Sequence, residues 1–190
     1  MKYYGPRDIF ATRIWGFEVE SRKLEYYTTL LYHMRNNNMG KKGGEAFYYS
    51  NGSWQSPNLI QFEEFTELFD ELEKSVNEFM QKDHDDRGKK KLKLFEAWGN
   101  INPPKTNINE HLHIGADYSG VVYLQAFPEC GNINFRDPRI HYEMVYQTAD
   151  VSVVPAVGRS VIFPGWLRHS VDPNNSDKDR VGIAFNFKVE

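Results

Sequence analysis

The chain has 190 residues, with 23 basic and 26 acidic side chains and a net charge of −3. That balance argues against a nucleic-acid partner, which calls for a basic excess. A single cysteine, Cys130, excludes an intramolecular disulfide framework and points to a reducing, cytoplasmic compartment. No apolar run approaches the roughly 18 residues of a membrane span, and MKYYGPRDIF lacks the apolar stretch of a secretion signal. The length suits one domain, 1–190, with a helical support and early strands over about 1–90 and a β core over about 91–190.

Residues 8–20 are rich in Ile, Phe and Trp and read as extended. Over 21–36, Leu24, Tyr27, Leu30, Leu31 and Met34 recur near 3.6 residues, which predicts a helix. NNNMGKKGG, 36–44, is expected to be loop. The strongest helical pattern covers roughly 60–82, where Phe65, Leu68, Phe69, Leu72, Val76, Phe79 and Met80 form one stripe. Its acidic opposite side predicts a surface helix lying on a sheet. The charged run 83–91 reads as a solvated turn.

From residue 92 the period becomes two. Strands are expected over 92–98, 107–116, 120–127, 131–136, 141–147, 151–154, 159–163, 167–171 and 180–188. Many short, regularly spaced strands predict an all-β sandwich or barrel, with the helices bracing one face.

Three of the six histidines fall in two short segments of this β region. His111 and His113 stand two apart. On a strand they would face the same side, with Cα atoms about 6.6–7 Å apart, beside Gly115 and Asp117. They are candidate metal ligands, or two satisfied polar residues. His169 ends an apolar run and reads alone as either a core histidine or a ligand. Eleven residues on, Arg180 opens RVGIAFNF, in which Val181, Ile183, Phe185 and Phe187 form an apolar face. Arg180, Gly182, Ala184 and Asn186 form the other face. A buried arginine beside small residues needs an anionic partner. That partner is a bidentate ligand carboxylate or a protein Asp or Glu, unless the arginine is exposed.

SNGSWQS (50–56), AWGNIN (97–102), HLHIGADYSGVVYL (111–124), GNINFRDPR (131–139), VVPAVGRSVIFPGWLRHSV (153–171) and RVGIAFNF (180–187) together resemble the iron(II)- and 2-oxoglutarate-dependent oxygenases. The match is with a small prolyl-hydroxylase-like group from marine bacteria and phages. The resemblance implies a mainly β double-stranded β-helix, a jelly roll of cupin type, braced by N-terminal helices. It implies a dioxygenase that uses Fe(II), 2-oxoglutarate and O2 to hydroxylate a prolyl or other amino-acid side chain. His111, His113 and His169 match the metal positions, with Asp117 a minor alternative to His113. Arg180 and Tyr123 match residues that hold the far carboxylate of 2-oxoglutarate, and Asn102 or Asn100 could bond the co-substrate or the substrate. Trp54, Trp98 and Trp166 are expected to be structural, and His33, His84 and His141 incidental. A small-molecule or peptide substrate follows, with no membrane partner and a homodimer among the open options for assembly.

Two positions depart from the wider superfamily. His113 stands where an Asp ligand is usual, so iron(II) plus dianionic 2-oxoglutarate would sum to zero charge instead of −1. Gly182 stands where relatives often carry a Ser. These departures leave two other readings open: a jelly-roll binding module without activity, and a three-histidine cupin-type dioxygenase that uses no oxo-acid.

Overall fold

The computed structural model describes residues 11–19, 23–43, 49–83, 91–139 and 150–190. The expected strand 141–147, His84, His141 and most of the charged run 83–91 lie outside them.

Two antiparallel sheets build the β core. The larger has the order β1-β9-β6-β11-β4-β3-β2 and the smaller β5-β10-β7-β8. The strands are β1 (Trp15–Glu18), β2 (Lys41–Lys42), β3 (Trp54–Gln55), β4 (Leu92–Asn102), β5 (Ile108–His111), β6 (Tyr118–Gln125), β7 (Ile133–Phe135), β8 (Val151–Val153), β9 (Arg159–Pro164), β10 (His169–Val171) and β11 (Arg180–Val189). The helices are α1 (Leu24–Asn36) and α2 (Thr66–Asp83), the latter preceded by two 3-10 turns, Leu59–Gln61 and Glu63–Phe65.

Alternation along β11 sorts the packing into two cores, because successive side chains leave a strand on opposite faces. Val181, Ile183, Phe185 and Phe187 join Tyr27 and Leu31 of α1 and Leu68, Leu72 and Val76 of α2 in the helix-side core. The opposite face meets the smaller sheet, where Val161, Phe163, Ile108, Ile133, Phe135, Leu167 and Val171 cluster. The apolar stripe read over 60–82 is therefore the face α2 lays on the large sheet.

Several boundaries moved for identifiable reasons. β4 runs to Asn102 rather than residue 98, because Asn100 and Asn102 are polar yet buried and so break the apolar period. β2 and β3 are two-residue strands, too short to carry a period, and β2 falls in the expected loop. The expected strand 107–116 ends at His111. A turn follows, with Gly115 at φ 89°, a conformation that costs a side-chain-bearing residue about 1 kcal/mol or more.

Candidate metal centre

That turn overturns one expectation. His113, Gly115 and Asp117 do not share a strand face. Asp117 points away, its Oδ2 accepting a hydrogen bond from the Val189 backbone N–H at 2.8 Å. It stands outside the histidine cluster, so it is no alternative to His113.

His111 on β5 and His169 on β10 are direct cross-strand partners, with ring centres 4.3 Å apart. His113 reaches the same point from the turn, its ring lying parallel to that of His169 at 5.2 Å. Its backbone N–H donates to the Gly165 carbonyl at 2.8 Å. The two turns approach so closely that a Cβ at Gly165 would lie 2.2 Å from the Ala116 carbonyl oxygen. The three side chains offer nitrogens that all lie within 4.8 Å of one another.

The rings are held in a defined state. His111 Nδ1 sits 2.8 Å from the Asn109 carbonyl, and His169 Nδ1 sits 2.9 Å from that of Leu167. A carbonyl only accepts, so each Nδ1 carries the proton and each Nε2 keeps its lone pair for a metal. Burial lowers the basicity of all three, most for His169 at about 3 and for His113 at about 4, with the neighbouring His111 adding to both shifts. They are neutral at pH 7, the form that ligates. Phe163 packs on His169 at 4.6 Å and on Phe135 at 4.9 Å, which backs the cluster with apolar rings. The carboxylate next to His111 is engaged elsewhere: Glu110 pairs with Arg136 and Arg168, each at 3.1 Å.

A cavity of about 60 Å³ runs from the histidines to Arg180, between walls from both sheets. Arg180 is buried, and Asn102 is its cross-strand partner on β4. Gly182 lies between Asn100 on β4 and Tyr123 on β6. Arg180 Nη1 donates to the carbonyls of Cys130 and Gly131, and Nη2 has no partner. One arm of the guanidinium is thus occupied by backbone carbonyls, and the other is left for a further acceptor. No Asp or Glu among the described residues forms an ion pair with it. Burial lowers its pKa, partly offset by nearby Tyr123. Burial also pushes the Tyr123 hydroxyl up to about 12, so it stays protonated and can donate.

Asn100 and Asn102 each leave a buried Oδ1 unpaired on the cavity wall. A Cβ at Gly182 would stand 3.0 Å from the Val122 carbonyl oxygen and 3.3 Å from Val121 Cγ2, so a Ser there would crowd β6. Trp98 does more than fill space. It lines the cavity, lies 5.8 Å from the His113 ring, and donates through Nε1 to the Tyr49 hydroxyl at 3.3 Å. Trp54 is structural, bonding the Met39 carbonyl. Trp166 is 54% exposed, so it is no core residue. His33 lies exposed near the end of α1, far in sequence from the cluster. Tyr49 lines the cavity and was missed from the sequence, where it sits in no periodic segment.

The family model described as "Putative 2OG-Fe(II) oxygenase" matches residues 96–186, the span holding all three histidines, Arg180 and Tyr123. Over these residues the chain is similar to the 2OG-Fe(II) oxygenase family. Solved structures agree on the fold. A Pseudomonas putida prolyl-4-hydroxylase aligns over 94% of each chain, with a TM-score of 0.63 and 13% identity. The non-heme alpha-ketoglutarate-dependent epimerase SnoN of nogalamycin biosynthesis covers 93% of this chain and 78% of its own, with a TM-score of 0.72 and 12% identity. HygX from Streptomyces hygroscopicus, solved with nickel, 2-oxoglutarate and hygromycin B, covers 93% and 82%, with a TM-score of 0.61 and 17% identity. Curated protein sequences yield no match. These likenesses establish a jelly-roll fold, and the described helices include none long and apolar enough to cross a membrane.

Proposed function

We propose that this chain is a 2OG-Fe(II) oxygenase that holds iron(II) on His111, His113 and His169 and 2-oxoglutarate between that ion and Arg180. One observation carries the reading: a single cavity has three neutral imidazoles at one end and a buried, half-unpaired guanidinium at the other. The residues fit both groups. Imidazole nitrogen is a good donor to iron, and three protein ligands leave positions open for a chelating co-substrate. The orphaned Nη2 calls for an anion, since an uncompensated buried cation costs several kcal/mol.

When bound, iron(II) with 2-oxoglutarate and O2 supplies the oxidising power to hydroxylate a C–H bond, with succinate and CO2 as by-products. The chain's own groups bind, orient and exclude water. Arg180 Nη2 takes the far carboxylate in a charge-assisted bond, and the Tyr123 hydroxyl donates to the same group. Asn100 or Asn102 satisfies a further polar atom. The carbonyls of Asn109 and Leu167 hold the His111 and His169 rings in the ligating tautomer. Phe163, Ile133 and Val171 keep the cavity wall dry. The substrate is a small molecule or a peptide segment.

Adding Fe(II) and 2-oxoglutarate without oxygen should produce a visible metal-to-ligand charge-transfer band, absent in His169→Ala. A folded wild-type sample that retains no metal and gives no band sinks the proposal. Full turnover by Arg180→Met would instead favour a three-histidine dioxygenase without an oxo-acid. Succinate release above the His169→Ala background eliminates an inactive binding module.

A further inference from the structure

The polar face of β11 continues past the cavity. Arg180, Gly182 and Ala184 line the cavity, and the next residue on that face is Asn186. Its partner on β4 is Glu96, two residues before the cavity-lining Trp98. Asn186 is only 5% exposed. Its Nδ2 donates to Glu96 Oε2 at 3.0 Å. The carboxylate can only accept, which fixes the amide's orientation and leaves the buried Oδ1 without a partner.

A bulge puts Glu96 there. Asn186 pairs with Glu96 but Phe187 pairs with Leu94, so Phe95 is an extra residue. Without it, alternation would continue Leu92–Leu94–Glu96 and send the carboxylate into the helix-side core. The bulge shifts the phase, and Glu96 joins Trp98, Asn100 and Asn102 on the inner face. Bulges of this kind re-aim side chains beside active sites. No Lys or Arg among the described residues pairs with Glu96. The neighbouring Lys188 lies over the Phe95 ring instead, at 5.1 Å. The pair therefore offers the Glu96 carboxylate and the buried Asn186 Oδ1 as acceptors, with a net negative charge, on the inner face two residues from the cavity-lining Trp98 and Ala184.

From this geometry we infer that Glu96 and Asn186 form a substrate subsite for a cationic nitrogen group, an ammonium or guanidinium. The inference rests on the oxygenase reading, because it takes the substrate to enter beside Trp98 and His113. Glu96 supplies the charge and Asn186 Oδ1 a second acceptor, an arrangement that suits a donor with several N–H groups. A neutral isostere would forgo the charge-assisted bond to the half-buried Glu96 and leave the buried Asn186 Oδ1 poorly paired, so the cationic group should be preferred.

The test uses the full chain loaded with Fe(II) and 2-oxoglutarate under anaerobic conditions, titrated calorimetrically. The probes are N-acetyl-L-arginine amide and its neutral near-isostere N-acetyl-L-citrulline amide. The arginine probe should bind tighter by about tenfold or more. Glu96→Gln and, as a second variant in case the first misfolds, Asn186→Ala should each erase that preference. The charge-transfer band should be unchanged in both variants. Equal binding of the two probes, no binding of either, or a preference that survives in a folded variant overturns the subsite while the band persists. Loss of the band in the wild type overturns the oxygenase reading itself, and the subsite falls with it.

Discussion

Acidification should destabilise the metal-free protein through its histidine cluster. The folded chain keeps His113 neutral down to about pH 4 and His169 down to about pH 3, whereas both titrate near 6.5 when unfolded. Between these limits the unfolded state binds more protons, so stability rises with pH across the window and is flat above about pH 7. Each pH unit below 6.5 then costs about 1.4 kcal/mol per histidine. At pH 5 the two residues together remove on the order of 4 kcal/mol, a large share of the 5–15 kcal/mol typical of a domain. Urea unfolding of the apo protein from pH 8 to 5 reads this directly. His113→Ala/His169→Ala should flatten the slope, because carboxylates are common to both proteins. Parallel pH curves for wild type and double variant would refute the argument. Added metal should contribute a further stabilisation at neutral pH, where burial keeps all three histidines deprotonated in the folded chain.

Other substitutions probe the cavity and the excluded ligand. Gly131→Ala would place a Cβ 2.3 Å from the Asp172 carbonyl oxygen and 2.7 Å from Arg180 Nη1, at a φ of 92°. It should cost roughly 2 kcal/mol or more and weaken 2-oxoglutarate binding by displacing the guanidinium, measured by melting and calorimetry. Arg180→Met should retain metal by elemental analysis but lose about two orders of magnitude in 2-oxoglutarate affinity. Asp117→Ala should leave metal affinity unchanged, against at least a hundredfold loss for His113→Ala, while costing about 1 kcal/mol for the Val189 hydrogen bond. Tyr49→Phe should lower stability by about 1 kcal/mol through the unpaired Trp98 N–H, read as a shifted urea midpoint.

Local pattern was enough to mark both helices and most strands, because the apolar stripes of α1, α2 and β11 each face one continuous core. It also singled out His111, His113, His169 and Arg180, whose residue types stand out in an otherwise apolar or turn-rich setting, whereas Tyr123 came only from the resemblance to the oxygenases. Spacing could not say how His113 arrives. Strand alternation put it beside Asp117, whereas the chain turns at Gly115 and spends Asp117 on the C-terminal strand. Nor could it show that Arg180 gives one arm to the carbonyls of Cys130 and Gly131, that Tyr49 joins the wall, or that a one-residue bulge turns Glu96 inward. Each depends on residues 40 or more positions apart, or on a slip in strand phase that reverses every later side chain. Periodicity reports which face a residue takes within one element; which faces meet, and in what register, is decided when the sheets close.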